Sequence, residues 1–194
     1  MLFRSSNATL LCTTESGIQC VYKPQAGERP LWDFPDGTLS AREVVSFEID
    51  RALGFGMVPA TVWRDSAPLG PGMCQVWIAE SADKTCVDVY RPDAVPLDWK
   101  VVLKAENHDG EPVVLAHSSD EQLQRLAIFD AIINNGDRKG GHVLSDTSGK
   151  VWGIDHGVSL ASEPKLRTVL WGWAYEPISA DLLGATRSEE HTSE

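Results

Sequence analysis

Asp137, His142 and Asp155 are the residues of this chain whose types and spacing best suit chemistry. Asp137 lies in Asn134-Asn135-Gly136-Asp137-Arg138-Lys139-Gly140-Gly141-His142, a loop rich in Gly and Asn after a helical stretch, and Asp155 heads Asp155-His156-Gly157. Two carboxylates and an imidazole can take up a proton or ligate a metal. The pattern predicts that His142 opens one strand and Asp155 closes the next, with Asp146-Thr147-Ser148-Gly149 as the hairpin turn between them. With Ser145 paired to Lys150, Asp155 falls opposite residues 140–142. Opposed hairpin residues sit roughly 4.5–5.5 Å apart at Cβ, so one ion can draw ligands from both strands.

Each of these residues also has a plainer reading. Asp137 can accept a proton from an attacking hydroxyl or orient it, or it can form an Asx turn, a role Asn135 already offers. Asp155 is the first choice for a metal ligand, against simple strand termination. His142 either joins it or hydrogen-bonds to it. Magnesium prefers oxygen ligands, and imidazole suits zinc, manganese or iron better. Arg138 and Lys139 either hold phosphate or stay in water, and His156 is either structural or a further member of a hydrolytic site. Lys165 and Arg167 either attract an anionic substrate or are surface charges.

A second group lies far earlier in the chain. Lys23 ends a strand in Val21-Tyr22-Lys23-Pro24 and can project into a cleft to hold phosphate oxygens. On a helix over residues 40–53, Ala41, Val44, Val45, Ile49 and Ala52 share one face, with Glu48 near its centre. A carboxylate on a buried stripe costs several kcal/mol unless paired. Lys23 is its expected partner, with Arg51 or Arg42 as the alternative. Glu43 points the opposite way and is read as the capping residue of Ser40 in a capping box. Asn7, in Ser6-Asn7-Ala8-Thr9, is a candidate for the tip of a phosphate-covering loop.

The elements that must position these residues follow from pattern. Strands are predicted over 9–12, 18–23, 57–63 and 73–80, and Gly54 stops the helix. Residues 81–96 read as a connector, and a second helix runs from Ser119, with Gln122 completing another capping box, to Ile133. This predicts an α+β plan of two lobes: an N-terminal lobe over 1–80, with a small sheet and one helix, and a mostly helical C-terminal lobe over 81–186. Residues 187–194 read as a foreign tail resembling a translated sequencing adapter, which would leave the C-terminal lobe truncated.

Composition narrows the class. A net charge of −11 argues against DNA or RNA as the main partner and against anionic membrane surfaces. No apolar run approaches the roughly 20 residues that span a bilayer, and the start of the chain lacks the signal-peptide pattern. The four cysteines show no C-x-x-C spacing and read as free thiols in a reducing cytoplasm.

Gly136-Asp137-Arg138 and Asp155-His156-Gly157 resemble the catalytic loop and metal segment of the phosphatidylinositol 3- and 4-kinases. More closely, residues 6–177 resemble an actinobacterial family only distantly similar to those kinases. The resemblance runs through Tyr22-Lys23-Pro24, the block from Gly27 through Trp32 to Gly37, Leu69-Gly70-Pro71-Gly72, Asp137-Arg138-Lys139-Gly140-Gly141-His142 and Pro164-Lys165-Leu166-Arg167. It implies a protein-kinase-like, phosphatidylinositol-kinase-like fold and an ATP-dependent phosphotransferase using Mg2+ or Mn2+, acting on an unspecified acceptor. In it Lys23 holds the α/β-phosphates, Glu48 orients Lys23, Asp137 positions the acceptor hydroxyl, and Asp155 with His142 holds the metal. The strand through Val76 and Ile78 would face the adenine. Two positions depart from the kinase pattern: Lys139 stands for its histidine and His142 for its asparagine. Lys139 thereby puts a phosphate-holding cation in the catalytic loop. The departures keep two rivals open, a nucleotide-binding module without turnover and a metal-dependent hydrolase built on Asp137, His142, Asp155 and His156.

Overall fold

The structure is a computed structural model that describes residues 7–178 and Leu182. Ser6 and the 187–194 tail lie outside the described residues. The first half forms a four-stranded antiparallel sheet from β1 (Leu10–Thr13), β2 (Gln19–Pro24), β3 (Thr61–Arg64) and β4 (Gly72–Val76), in the order β1-β2-β4-β3. Helix α1 (Leu39–Leu53) packs on β3 and β4, and Gly54 ends it in the left-handed region at φ 67°. Gly72 lies so close to β2 that a Cβ there would collide with the Lys23 carbonyl oxygen.

The second half is not the mostly helical lobe of a protein-kinase-like or phosphatidylinositol-kinase-like fold. It holds a three-stranded antiparallel sheet, β5 (Val87–Tyr90), β6 (Trp99–Glu106) and β7 (Pro112–Ser118) in the order β5-β7-β6. A two-stranded ribbon, β8 (Val143–Ser145) with β9 (Val151–Gly153), completes three small antiparallel sheets. α2 (Glu121–Ile132) is the other α-helix among the described residues. The physical reason for the correction lies in residues 97–118, where two strands carrying Trp99, Val101, Val102, Val113 and Val114 flank Asn107-His108-Asp109-Gly110. Asn107 Oδ1 accepts from Asp109 N at 3.0 Å and from Glu111 N at 2.9 Å, and Gly110 takes φ 78°. Those bonds fold the segment into a hairpin.

The apolar core lies where α2 meets the ribbon: Leu123, Leu126, Phe129, Ile133, Val143 and Val151 cluster there with Phe55, Met57 and Val58. Neither expected capping box forms. Asp120 caps α2 by accepting from Gln122 N at 2.9 Å, while the Gln122 side chain accepts from Val151 N at 3.1 Å and so ties α2 to β9. At α1 the N-cap Thr38 makes no side-chain cap bond; the Glu28 carboxylate reaches in and accepts from Leu39 N (2.9 Å) and Ser40 N (2.8 Å). Among the described residues no helix is long and apolar enough to cross a membrane.

Candidate functional site

The buried face of α1 is polar: Ser40, Glu43, Ser46 and Asp50 are all at most 2% exposed. This overturns the assignment of Glu48, whose side chain is 47% exposed and pairs with Arg51. The apolar residues do not set the phase of this helix, because its buried carboxylates each have a partner. Asp50 accepts from the Met57 and Val58 backbone N–H groups at 3.0–3.1 Å. Glu43, its side chain 3% exposed, accepts from Lys23 Nζ at 2.6 Å. Glu43, read from sequence as a capping residue, is the partner of Lys23.

Lys23 also donates to Asp155 Oδ1 at 2.8 Å, so one ammonium bridges the first sheet, α1 and the segment after β9. Burial alone would lower the Lys23 pKa, but the two carboxylates more than offset it and hold it above the ordinary value. Burial raises the Glu43 carboxyl, and Lys23 opposes that shift only in part. Burial also works upward on Asp155, yet Lys23 and then His142 outweigh it and bring it down to about 2. Asp155 takes φ 60°, in the left-handed region. A non-glycine residue held there stores strain, and such residues concentrate at functional sites.

The ribbon is offset by one residue from the predicted register, with Ser145 opposite Val151. Ile154 N donates to His142 O at 3.0 Å, which leaves Asp155 opposite Gly141, within the predicted 140–142 region. His142 ends a 3-10 turn, Gly140–His142, just before β8. Its Nε2 lies 3.2 Å from Asp155 Oδ2, an approach without an aligned hydrogen bond. Burial lowers its pKa, so the ring is neutral near pH 7, and its buried Nδ1 has no partner among the described residues.

Arg138 holds this arrangement from beneath. Its guanidinium, fully buried, donates to both oxygens of the equally buried Asp130 at 2.8 Å. It also donates to His142 O (3.0 Å) and Ile154 O (2.8 Å), backbone groups beside the two candidate metal ligands. Nη2 lies 2.7 Å from His156 Nε2. An arginine can only donate, so His156 accepts, neutral; burial and then Arg138 push its pKa well below normal. Arg138 is therefore neither a phosphate ligand nor a solvated charge, and His156 is structural. Asn135 Oδ1 accepts from Asp137 N at 3.0 Å, the Asx turn that leaves the Asp137 carboxylate for other partners. That carboxylate pairs with Lys139 Nζ at 2.8 Å, at an exposed position.

A cavity of about 800 Å³ gathers these groups. Lys23, Glu43, Asp137, Lys139, His142 and Asp155 all line it. Asn7, Val76 and Ile78 line it too, with Trp77 between the last two. Asn7 Oδ1 accepts from Arg29 N at 2.9 Å. The predicted 73–80 strand stops as β4 at Val76, and Ile78 lies in the extended stretch after it. Lys165 and Arg167 lie outside this lining; Lys165 pairs with Asp33 at 2.7 Å. Glu48, Arg138 and His156 are also absent from the lining.

Among the described residues no group of three His, Cys, Asp or Glu side chains is placed to hold a metal. The pair that is present suits an ion bringing its own remaining ligands. Adjacent ligands on an octahedral ion with bonds of ~2.1 Å lie about 3 Å apart, close to the separation of His142 Nε2 and Asp155 Oδ2. Sequence reasoning missed Glu43, Glu28 and Arg138 as organising residues. The signal for Glu43 was the polar run of Ser40, Glu43, Ser46 and Asp50 at helical spacing.

No protein-family model matches the chain. It is similar to Protein Rv2133c of Mycobacterium tuberculosis (strain ATCC 25618 / H37Rv), with 48% identity over 193 residues, 93% of this chain and 69% of that protein. At that identity and coverage the chain belongs to the family of Protein Rv2133c.

Proposed function

We propose that the cavity binds ATP with a divalent cation, Mg2+ or Mn2+, and that the protein transfers the terminal phosphoryl group to an acceptor hydroxyl. The observation that carries this reading is Lys23, fixed between Glu43 and Asp155 in a cavity that Asp137 also lines. Further support comes from the likeness of the Asp137 and Asp155 segments to phosphatidylinositol 3- and 4-kinases.

Phosphoryl transfer depends mainly on positioning and charge stabilisation, and each group has a part in that. Glu43 keeps the Lys23 ammonium charged and aimed, and Lys23 binds phosphate oxygens. Asp155 and His142 would hold the cation, which supplies neutralisation of the phosphate charge. Val76 and Ile78 back the base, and Asn7 lies at the phosphate end. Asp137 accepts the hydrogen bond of the acceptor hydroxyl and takes its proton as the oxygen bonds to phosphorus. The bond from that phosphorus to the bridging oxygen breaks, and ADP departs. Lys139, now on Asp137, exchanges that carboxylate for a phosphate oxygen. The acceptor is defined here only as a hydroxyl.

The test is ADP release by the purified protein with ATP and Mg2+. Asp137→Asn should lower turnover at least about 100-fold, as loss of a general base does. Unchanged turnover in that variant would refute the role of Asp137. The Lys139–Asp137 pair favours one rival, nucleotide binding without turnover, and that rival predicts ATP binding with no ADP released. A hydrolase using His156 is disfavoured, since that ring is buried against Arg138.

A further inference from the structure

We infer that Arg42 is a positioning residue for the cavity: it clamps α1 to the segment after Asp155, so that carboxylates from both elements converge on Lys23. What that ammonium does for phosphate rests on the nucleotide reading above, whereas the clamp follows from the geometry alone.

Lys23 is held by two elements at once. Glu43 comes from α1 and Asp155 from the stretch after β9, and Lys23 Nζ reaches them at 2.6 and 2.8 Å. A slide of one element against the other breaks one of those bonds. Arg42 is the chain neighbour of Glu43 and does not line the cavity. Its Nη1 donates to Ser159 O at 2.7 Å and to Leu160 O at 2.9 Å, two successive carbonyls. Leu160 takes φ 59°, a left-handed conformation that persists in such a residue only where the surroundings enforce it. One turn along α1, Ser46 Oγ lies 3.1 Å from Ser159 Oγ. Ser159 uses its own hydrogen on His156 O at 2.7 Å, so Ser46 is the donor.

The other side of the same segment is pinned to the second half of the chain. Leu160 N donates to Ile133 O at 2.7 Å, and Gly136 N donates to Val158 O at 2.8 Å, next to Asp137. Arg42 thereby ties α1 to the backbone that also steadies the Asp137 loop. The guanidinium is itself fixed: Nε donates to Thr38 Oγ1 at 3.2 Å, and the Phe34 ring lies 4.7 Å from Cζ. A planar group with five donors and a stacking face suits this place. Without the clamp, Glu43 and Asp155 are no longer bound to face one ammonium. Lys23, which those carboxylates hold above its ordinary pKa, then falls back toward it.

The experiment labels the intact protein with acetic anhydride at pH 9, without nucleotide, and quantifies each acetylated lysine by mass spectrometry. Only the uncharged amine reacts, and the exposed Lys104 serves as the reference. Lys23 should label slowly in the wild type. In Arg42→Met its rate relative to Lys104 should rise at least about 10-fold, since each pKa unit lost raises the uncharged fraction about tenfold. Arg42→Lys, which keeps the charge and loses the fork, should fall between the two and carries the test if Arg42→Met does not fold. Leu123→Ala truncates a fully buried core residue away from the clamp and should leave the Lys23 rate at the wild-type value. A Lys23 rate unchanged by loss of the guanidinium, or raised equally in Leu123→Ala, would overturn the clamp. Because the labelling is read without nucleotide, it stands or falls separately from ATP binding.

Discussion

Replacing Lys23 with Met removes the one cation that faces both Glu43 and Asp155, and the cost can be worked out from their burial. Glu43, its side chain 3% exposed, would be left with no positive partner and a second carboxylate nearby. Removing one partner of a buried ion pair typically costs about 3–5 kcal/mol, and Lys23→Met should fall in that range near pH 7. Glu43→Gln should cost less, about 1.5–3 kcal/mol for a lost charge-assisted hydrogen bond, because Lys23 keeps Asp155. The double variant Lys23→Met/Glu43→Gln should be more stable than Lys23→Met alone, since no buried carboxylate is stranded. Glu48→Gln, at an exposed position, should stay within about 0.5 kcal/mol of wild type. The sign with pH follows from Glu43, whose carboxyl is already raised and rises further without Lys23. A raised carboxyl is tolerated when protonated, so Lys23→Met should be least destabilised in acid and lose stability as pH rises. Urea unfolding of the four variants at several pH values measures all of this. A Glu43→Gln variant as stable as Glu48→Gln, or a double variant with strictly additive loss, would refute the buried Lys23–Glu43 pair.

Asp155 behaves in the opposite sense. Its carboxyl is held near 2, below the ordinary 3.8, so its contribution is present above that ordinary value and is lost as pH falls toward about 2. The stability difference between wild type and Asp155→Asn should shrink over that window in acid unfolding curves, and a constant difference would contradict it. Arg138→Lys should destabilise by about 3–5 kcal/mol, since one ammonium cannot satisfy both Asp130 oxygens and two backbone carbonyls. Denaturant unfolding reads that loss. Gly153→Ala puts a Cβ 2.6 Å from Leu126 Cδ1, and overpacking of that kind costs about 1–3 kcal/mol. A shift of the thermal midpoint below wild type checks it.

The elements with strong local chemistry were legible in the sequence. The β1–β2 hairpin, Gly54 as the stop of α1, the turn at Asp146-Thr147-Ser148-Gly149 and the second helix all lie where pattern placed them, give or take a residue or two. The juxtaposition of Asp155 with residues 140–142 was also legible, because a short hairpin leaves few registers. The phase of α1 was not. Periodicity arguments put apolar residues inside, whereas this helix buries Ser40, Glu43, Ser46 and Asp50 and leaves Val45 exposed. Asp50 finds its partners close by, but Glu43 and Ser46 find theirs far along the chain, Lys23 for Glu43 and Ser159 for Ser46. No local pattern encodes those partners. The three-stranded sheet was legible in principle, since Asp109-Gly110 lies between two apolar runs. The expectation of a helical lobe left residues 97–118 unread. Arg138 sits in a Gly- and Asn-rich loop, where charge alone suggests a solvated side chain. Its burial depends on Asp130, in the last turn of α2.

The most direct measurement is calorimetric titration of ATP into the purified protein with and without Mg2+, repeated on Asp155→Ala and Lys23→Met. Wild type should bind ATP more tightly with Mg2+ than without it. Asp155→Ala should lose that metal-dependent gain, and Lys23→Met should bind weakly in both conditions. Metal-dependent affinity unchanged in Asp155→Ala, or no ATP binding by the wild-type protein at all, would contradict a nucleotide site built on Lys23, Glu43 and Asp155.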